Sequence, residues 1–312
     1  MTKQLRFVAL FVILAFVLAL VPAAFAQDGT FGLSDEDFAL LTDANANSSA
    51  AETLAYNFNL ALNVTGIEDA EVSADISGTG VLGLSGSPVF SMVTTGSATS
   101  NGDTTPTELE VRLVGDMIYW NVGEGWQGSA VEDAMSGAMG SAGNLPINPA
   151  DLMSGDMGDM GDMGGMMGDL ATLDLSSYVG LERLDDMDGA AHFNLSVDVA
   201  GLLASEELSG IFGMALGGAM GGGSDMSPEQ AAQMGQMFGM MFGDATFEVD
   251  QYVNLETELV QRTVLSINLP LESLMGTPGA AVDLMFDISL SSYNEPISVE
   301  VPENVEMAEI GG

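Results

Sequence analysis

No cysteine occurs in the 312-residue chain, which excludes disulfides, thiolate metal centres, thiol nucleophiles and an acylated cysteine anchor. Basic residues are nearly as scarce. Against 45 Asp and Glu there are five Lys and Arg, and beyond Arg6 only Arg112, Arg183 and Arg262. A chain of formal net charge −40 repels nucleic acid and anionic bilayers, so neither is expected as a partner. The same acidity suits a salty or cation-rich medium, where screening relieves self-repulsion, and equally serves plain solubility.

The single histidine, His192, alternates with Ala191 and Phe193. It reads as a surface residue on the polar side of a strand rather than a catalytic base. There is no G-x-S-x-G nucleophile elbow. Among so many carboxylates no pair stands out for glycoside chemistry. The expectation is a protein that is not an enzyme and holds no cofactor.

Without cross-links, stability has to come from burial, and a hydrophobic content of 47% permits a large core. Lys3 and Arg6 precede a charge-free run from Phe7 to Val21 and then Ala24-Phe25-Ala26. This is the pattern of a signal peptide over 1–26, cleaved after Ala26, and it predicts an extracytoplasmic protein. The apolar run is shorter than the ~20 residues of a spanning helix, and no later segment is apolar enough. The cleaved chain is therefore not expected to span a membrane.

The remainder reads as one domain, 27–312. Ser34 can cap a helix over 34–53 whose first turn carries Asp35, Glu36 and Asp37, with Phe38 and Leu41 on one face. The period then changes to two: Leu54, Tyr56, Phe58, Leu60, Leu62 and Val64 alternate with small or polar residues. Similar runs recur around Ile118 and Trp120, over 190–200 and over 245–301, with turn signals at Gly115-Asp116 and Asp188-Gly189. They predict a large antiparallel sheet with one apolar face, its strands mostly at 54–126, 190–200 and 245–301.

Two Gly- and Met-rich insertions interrupt that rhythm, at about 128–170 and 201–243. The first has no sustained period and reads as a long loop. In the second, Leu202, Leu203, Leu208, Ile211 and Phe212 suggest one short helix, and Ser227-Pro228-Glu229-Gln230 opens another. Met234, Met237, Phe238 and Met241 share a face of that second helix.

Three motifs need a decision. Gly78-x-Gly80-x-x-Gly83 matches the dinucleotide fingerprint, but that chemistry needs a helix immediately after it. Here Leu84-Ser85-Gly86-Ser87-Pro88 leads into another strand, so the glycines are expected to be strand kinks or bulges. Asp156, Asp159 and Asp162 stand three apart and fail the calcium-loop spacing. The surrounding "DMGDMGDMGGMMGD" places Met157, Met160, Met163 and Met166 at M-x-x-M spacing, suited to Cu(I) or Ag(I). No histidine or cysteine lies near. The other reading treats methionine as a pliable apolar side chain that repacks around variable ligands, which covers both insertions with one cause. Solvated filler is the third.

The order of segments resembles a known family. "YNFNLALNVTG" follows a leading helix; then come "EVRLVGDMIYWNVGEGW" (110–126), "DGAAHFNLSVDV" (188–199), "FEVDQYVNLETELVQRTVLSI" (247–267) and "SYNEPISVEVP" (292–302). Over about 54–126 and 180–302 this is similar to the LolA-type lipoprotein carriers and the LppX/LprG-type lipid-binding proteins. The resemblance implies an α+β half-barrel, a large curved antiparallel β-sheet with helices covering its concave face. It implies an apolar cavity for lipid or the acyl chains of a lipoprotein, and no catalytic residues. The family's acylated cysteine is absent and the two insertions have no counterpart. The expected cavity wall is Tyr56, Phe58, Leu60, Leu62, Ile118 and Trp120, and the expected lid is Met234, Met237, Phe238 and Met241. Partner proteins are not indicated. The competing readings are a dry, fully packed core, a Met-based Cu(I)/Ag(I) binder, and an envelope structural protein without ligand.

Overall fold

The structure is a computed structural model and describes residues 30–66, 72–84, 88–100, 102–131, 133–134, 177–198, 201, 244–272 and 276–307. The expected signal peptide, both expected helices of the second insertion and most of the first lie outside the described residues.

The leading helix, α1, runs Asp35–Ser49. Ser34 is extended, and its side chain accepts the Asp37 backbone N–H, which satisfies one donor that a helix start leaves unpaired. The strands are β1 (Thr53–Thr65), β2 (Val72–Gly83), β3 (Val89–Ser100), β4 (Asp103–Val114), β5 (Met117–Asn121), β6 (Trp126–Ala130), β7 (Val179–Met187), β8 (Ala190–Asp198), β9 (Thr246–Asn254), β10 (Leu259–Pro270), β11 (Ala281–Ser291) and β12 (Glu306–Met307).

They form one sheet in the order β12-β6-β5-β4-β3-β2-β1-β11-β10-β9-β8-β7. Two antiparallel meanders, β1–β6 and β7–β11, are sewn together by the β1–β11 ladder, which runs from Ala55↔Ser291 to Thr65↔Ala281. This open sheet is consistent with a half-barrel. The turns fall where positive φ is tolerated: Gly115 at 60°, Asp188 at 52° and Gly189 at 80°.

Apolar side chains line one face. Phe58, Leu60, Leu181, Phe193, Leu195, Val249, Val253, Leu265, Leu284 and Phe286 form a buried cluster with Leu33, Leu41 and Ala44 from the α1 segment. Helix α1 is tied down by a reciprocal amide pair, Asn45 with Gln251 on β9, both bonds 3.0 Å. The Ser48 hydroxyl accepts the Val260 N–H of β10, and Arg183 of β7 pairs with Asp37 at 3.1 Å. Gln251 is only 7% exposed, so its amide partner on α1 is what permits it to face the core.

Several expectations are corrected. Helix α1 ends at Ser49 rather than at 53, and the other helices expected to cover the sheet lie outside the described residues. Strand β7 escaped notice because Arg183 occupies a core-face position. Its guanidinium lies 4.9 Å from the Phe193 ring centre, hiding the alternation behind a charge. Gly128, Ser129 and Ala130 belong to β6 rather than to the first insertion. Regular pairing stops at Ser291, and 292–305 carries no strand; Pro296 and Pro302 cannot donate to a ladder. This tail runs along the opposite face, where Arg112 donates to the Glu300 carbonyl at 2.9 Å, and reaches β6 as β12.

Candidate functional site

The register shows what the apolar face is made of. Tyr56, Gly80, Met92, Val111 and Trp120 are successive cross-strand partners from β1 to β5 and form one row. The next row is Leu54, Leu82, Phe90, Leu113 and Ile118. At roughly 4.8 Å per strand each row spans about 19 Å. The Tyr56 and Phe90 rings stack at 6.2 Å, and the Tyr56 and Phe58 rings at 6.4 Å. Farther along the same strands the row Leu62, Ala74, Ala98, Thr105 is small and partly polar, so the broad apolar surface belongs to one end of β1–β5.

The predicted wall is therefore brought onto a single face but divided in role. Tyr56 and Trp120 share a row, and Ile118 sits in the adjacent one; all three are half-buried. Phe58, 6% exposed, and Leu60, 8% exposed, are members of the packed core instead. Phe58 meets Phe286 at 5.9 Å. Leu62 is half-buried and packs against the core. Trp120 is oriented by its ring N–H, which donates to Gln127 at 3.0 Å. Burial holds the Tyr56 hydroxyl well above its ordinary pKa, so it stays a neutral donor, 3.3 Å from the Ser91 carbonyl.

The fingerprint glycines have a role the sequence reading missed. The β1–β2 and β2–β3 ladders run without a register shift, so Gly78 and Gly80 are neither kinks nor bulges. A methyl at Gly80 would lie 2.3 Å from the Tyr56 hydroxyl oxygen and 2.2 Å from the Ser91 carbonyl. One at Gly78 would lie 2.5 Å from the Phe58 ring. Each glycine is the hole into which the aromatic ring of its partner on β1 folds. The signal was present as aromatics at i and i+2 on one strand and glycines at the same spacing on the next.

His192 is corrected as well. It is 9% exposed rather than a surface residue, with Nε2 2.8 Å from Asp250 and its ring stacked on Tyr252 at 4.3 Å. It lies opposite the apolar face, in a polar ladder continued by Arg262, which makes two bonds to Asp287 at 2.9 and 2.8 Å. Desolvation, reinforced by Asp250, raises the Tyr252 pKa against the opposing effect of Arg262. Every member of this ladder has a structural partner.

A groove of about 460 Å³ also lies on the polar face, lined by Ala61, Asn63, Ser73, Asp75, Asp283 and Met285 among others; of the predicted wall only Leu62 reaches it. The predicted lid, Met234, Met237, Phe238 and Met241, and the alternative soft-metal set, Met157, Met160, Met163 and Met166, lie outside the described residues. Among the described residues no cluster of three or more His, Cys, Asp or Glu could hold a metal ion, and no helix is long and apolar enough to cross a membrane.

Solved structures are similar to this chain at low identity. It is similar to LprF from Mycobacterium bovis at 14% identity and a TM-score of 0.34, over 86% of this chain and 98% of that one. It is also similar to a DUF1329 family protein from Desulfovibrio piger at 10% identity and a TM-score of 0.21, over 85% of this chain and 96% of that one. No protein-family model and no curated protein matches the chain.

Proposed function

We propose that the chain is a non-enzymatic, extracytoplasmic binder of a lipid or of the acyl part of a lipoprotein, built as one half-barrel domain over 27–312. The observation that carries this reading is the pair of apolar rows at one end of β1–β5. They hold nine large apolar side chains, among them Tyr56, Ile118 and Trp120, which remain half-buried. An apolar surface of this breadth is a ligand or interaction surface more often than bare solvent-facing sheet. The wall would act by burial: each methylene removed from water is worth ~0.8 kcal/mol, so an acyl chain binds firmly yet reversibly. Met234, Met237, Phe238 and Met241 serve as lid in this reading, their thioether flexibility fitting chains of different shape.

Titration with N-phenyl-1-naphthylamine, an uncharged probe that fluoresces in apolar sites, tests the reading. The intact protein should enhance its emission, and Ile118→Asp, which sets a charge within the rows, should weaken binding at least tenfold while leaving the circular dichroism spectrum unchanged. Equal binding by the variant would exclude these rows as the wall.

A further inference from the structure

Resting on that reading, we infer that the apolar rows select amphiphiles without negative charge, taking uncharged or cationic head groups and rejecting carboxylate and phosphate heads. A nearby cation is the strongest replacement for the hydration of an anionic head. Beyond Arg6 the chain has three basic side chains in all, and each is already engaged. Arg112 lies directly behind the rows on β4, but on the opposite face; it binds Glu110 at 2.6 Å and the Glu300 carbonyl, and covers the Trp126 ring at 4.8 Å. Arg262 is on that opposite face too, held at two points by Asp287. Arg183 alone shares the apolar face. It sits on β7, at the far edge of the sheet, paired with both Asp37 and Asp186. The lone imidazole, His192, is committed to Asp250 on the polar face.

The margin of the rows is acidic instead. Glu52 precedes β1, Asp116 forms the β4–β5 turn and Glu295 follows β11, all three exposed and all at the strand ends where the apolar rows lie. A carboxylate about 10 Å from a like-charged head weakens its binding by a factor of about two in water, so several acting together give about tenfold.

Competition against N-phenyl-1-naphthylamine with dodecanol below its solubility limit, and with dodecyltrimethylammonium and dodecanoate below their micellar concentrations, separates the outcomes. At about 0.01 M salt, where screening reaches ~30 Å, dodecyltrimethylammonium should displace the probe at least about tenfold more effectively than dodecanoate, and dodecanol should displace it too. At 1 M, where it falls to ~3 Å, that gap should largely close. Equal displacement by dodecanoate at low salt would overturn the selectivity while leaving the lipid-binding reading intact. A gap that persists at 1 M would overturn its electrostatic cause. Failure of the probe and of all three amphiphiles to bind would overturn the lipid-binding reading itself.

Discussion

Replacing Gly78 with alanine should destabilise the fold, although alanine stiffens the unfolded chain and in an unconstrained strand would favour folding. The added methyl would lie 2.5 and 2.7 Å from Phe58 ring atoms and 2.8 Å from the Val93 carbonyl oxygen. Ordinary carbon contacts are ~3.5–4.0 Å, so the ring or β3 must give by about 1 Å. Phe58 cannot swing away freely, because it is 6% exposed and packs on Phe286 at 5.9 Å. Overpacking of this kind costs ~1–3 kcal/mol, which in a domain of this size lowers Tm by ~2–4 °C per kcal/mol. Urea unfolding of Gly78→Ala, Phe58→Leu and the double variant measures the coupling. Leucine removes the ring atoms that clash, so the double variant should be more stable than the sum of the singles by about 0.5–1 kcal/mol. A Gly78→Ala protein as stable as the parent, or strictly additive singles, would refute the role of glycine as the seat of the ring.

Gly80→Ala should cost more than Gly78→Ala in the same assay, because the Ser91 carbonyl at 2.2 Å is backbone and cannot rotate out of the way. Asn45→Ala leaves the buried Gln251 amide without its partner and should lower stability by ~1–3 kcal/mol, with loosening of α1 visible as faster hydrogen exchange over 35–49. Tyr56 has its folded pKa raised by burial, so its contribution is complete below the unfolded value of ~10 and is lost as pH climbs through the higher folded value. Stability should fall above about pH 10, and Tyr56→Phe should flatten that loss.

Periodicity revealed much of the sheet because strands such as β1 and β11 bury one face against the core and leave residues of the other exposed, which writes alternation directly into the residues. The start of α1 was legible from Ser34 and the three acids after it, since capping is a local interaction. Strand β7 was hidden because Arg183 satisfies a core-face position through Phe193 and two carboxylates, contacts made with residues ten or more positions away as well as nearby. The glycines of β2 were misjudged for a related reason: their meaning lies in the rings that β1 delivers across the ladder. The six residues of the expected wall share one face of the sheet, but alternation alone does not separate the packed ones from the half-buried ones. Phe58 and Leu60 are core because the β1–β11 ladder brings Ile288 and Phe286 beside them, a pairing that joins residues more than 200 positions apart.

Organic extraction of the protein purified in mild, detergent-free buffer, followed by mass spectrometry, goes most directly to the idea that the rows through Tyr56, Ile118 and Trp120 hold a lipid. A discrete lipid or acylated species should be recovered in near-stoichiometric amount from the parent protein and be depleted from Ile118→Asp. Recovery of none from either protein, with the apolar rows nonetheless intact, would contradict it.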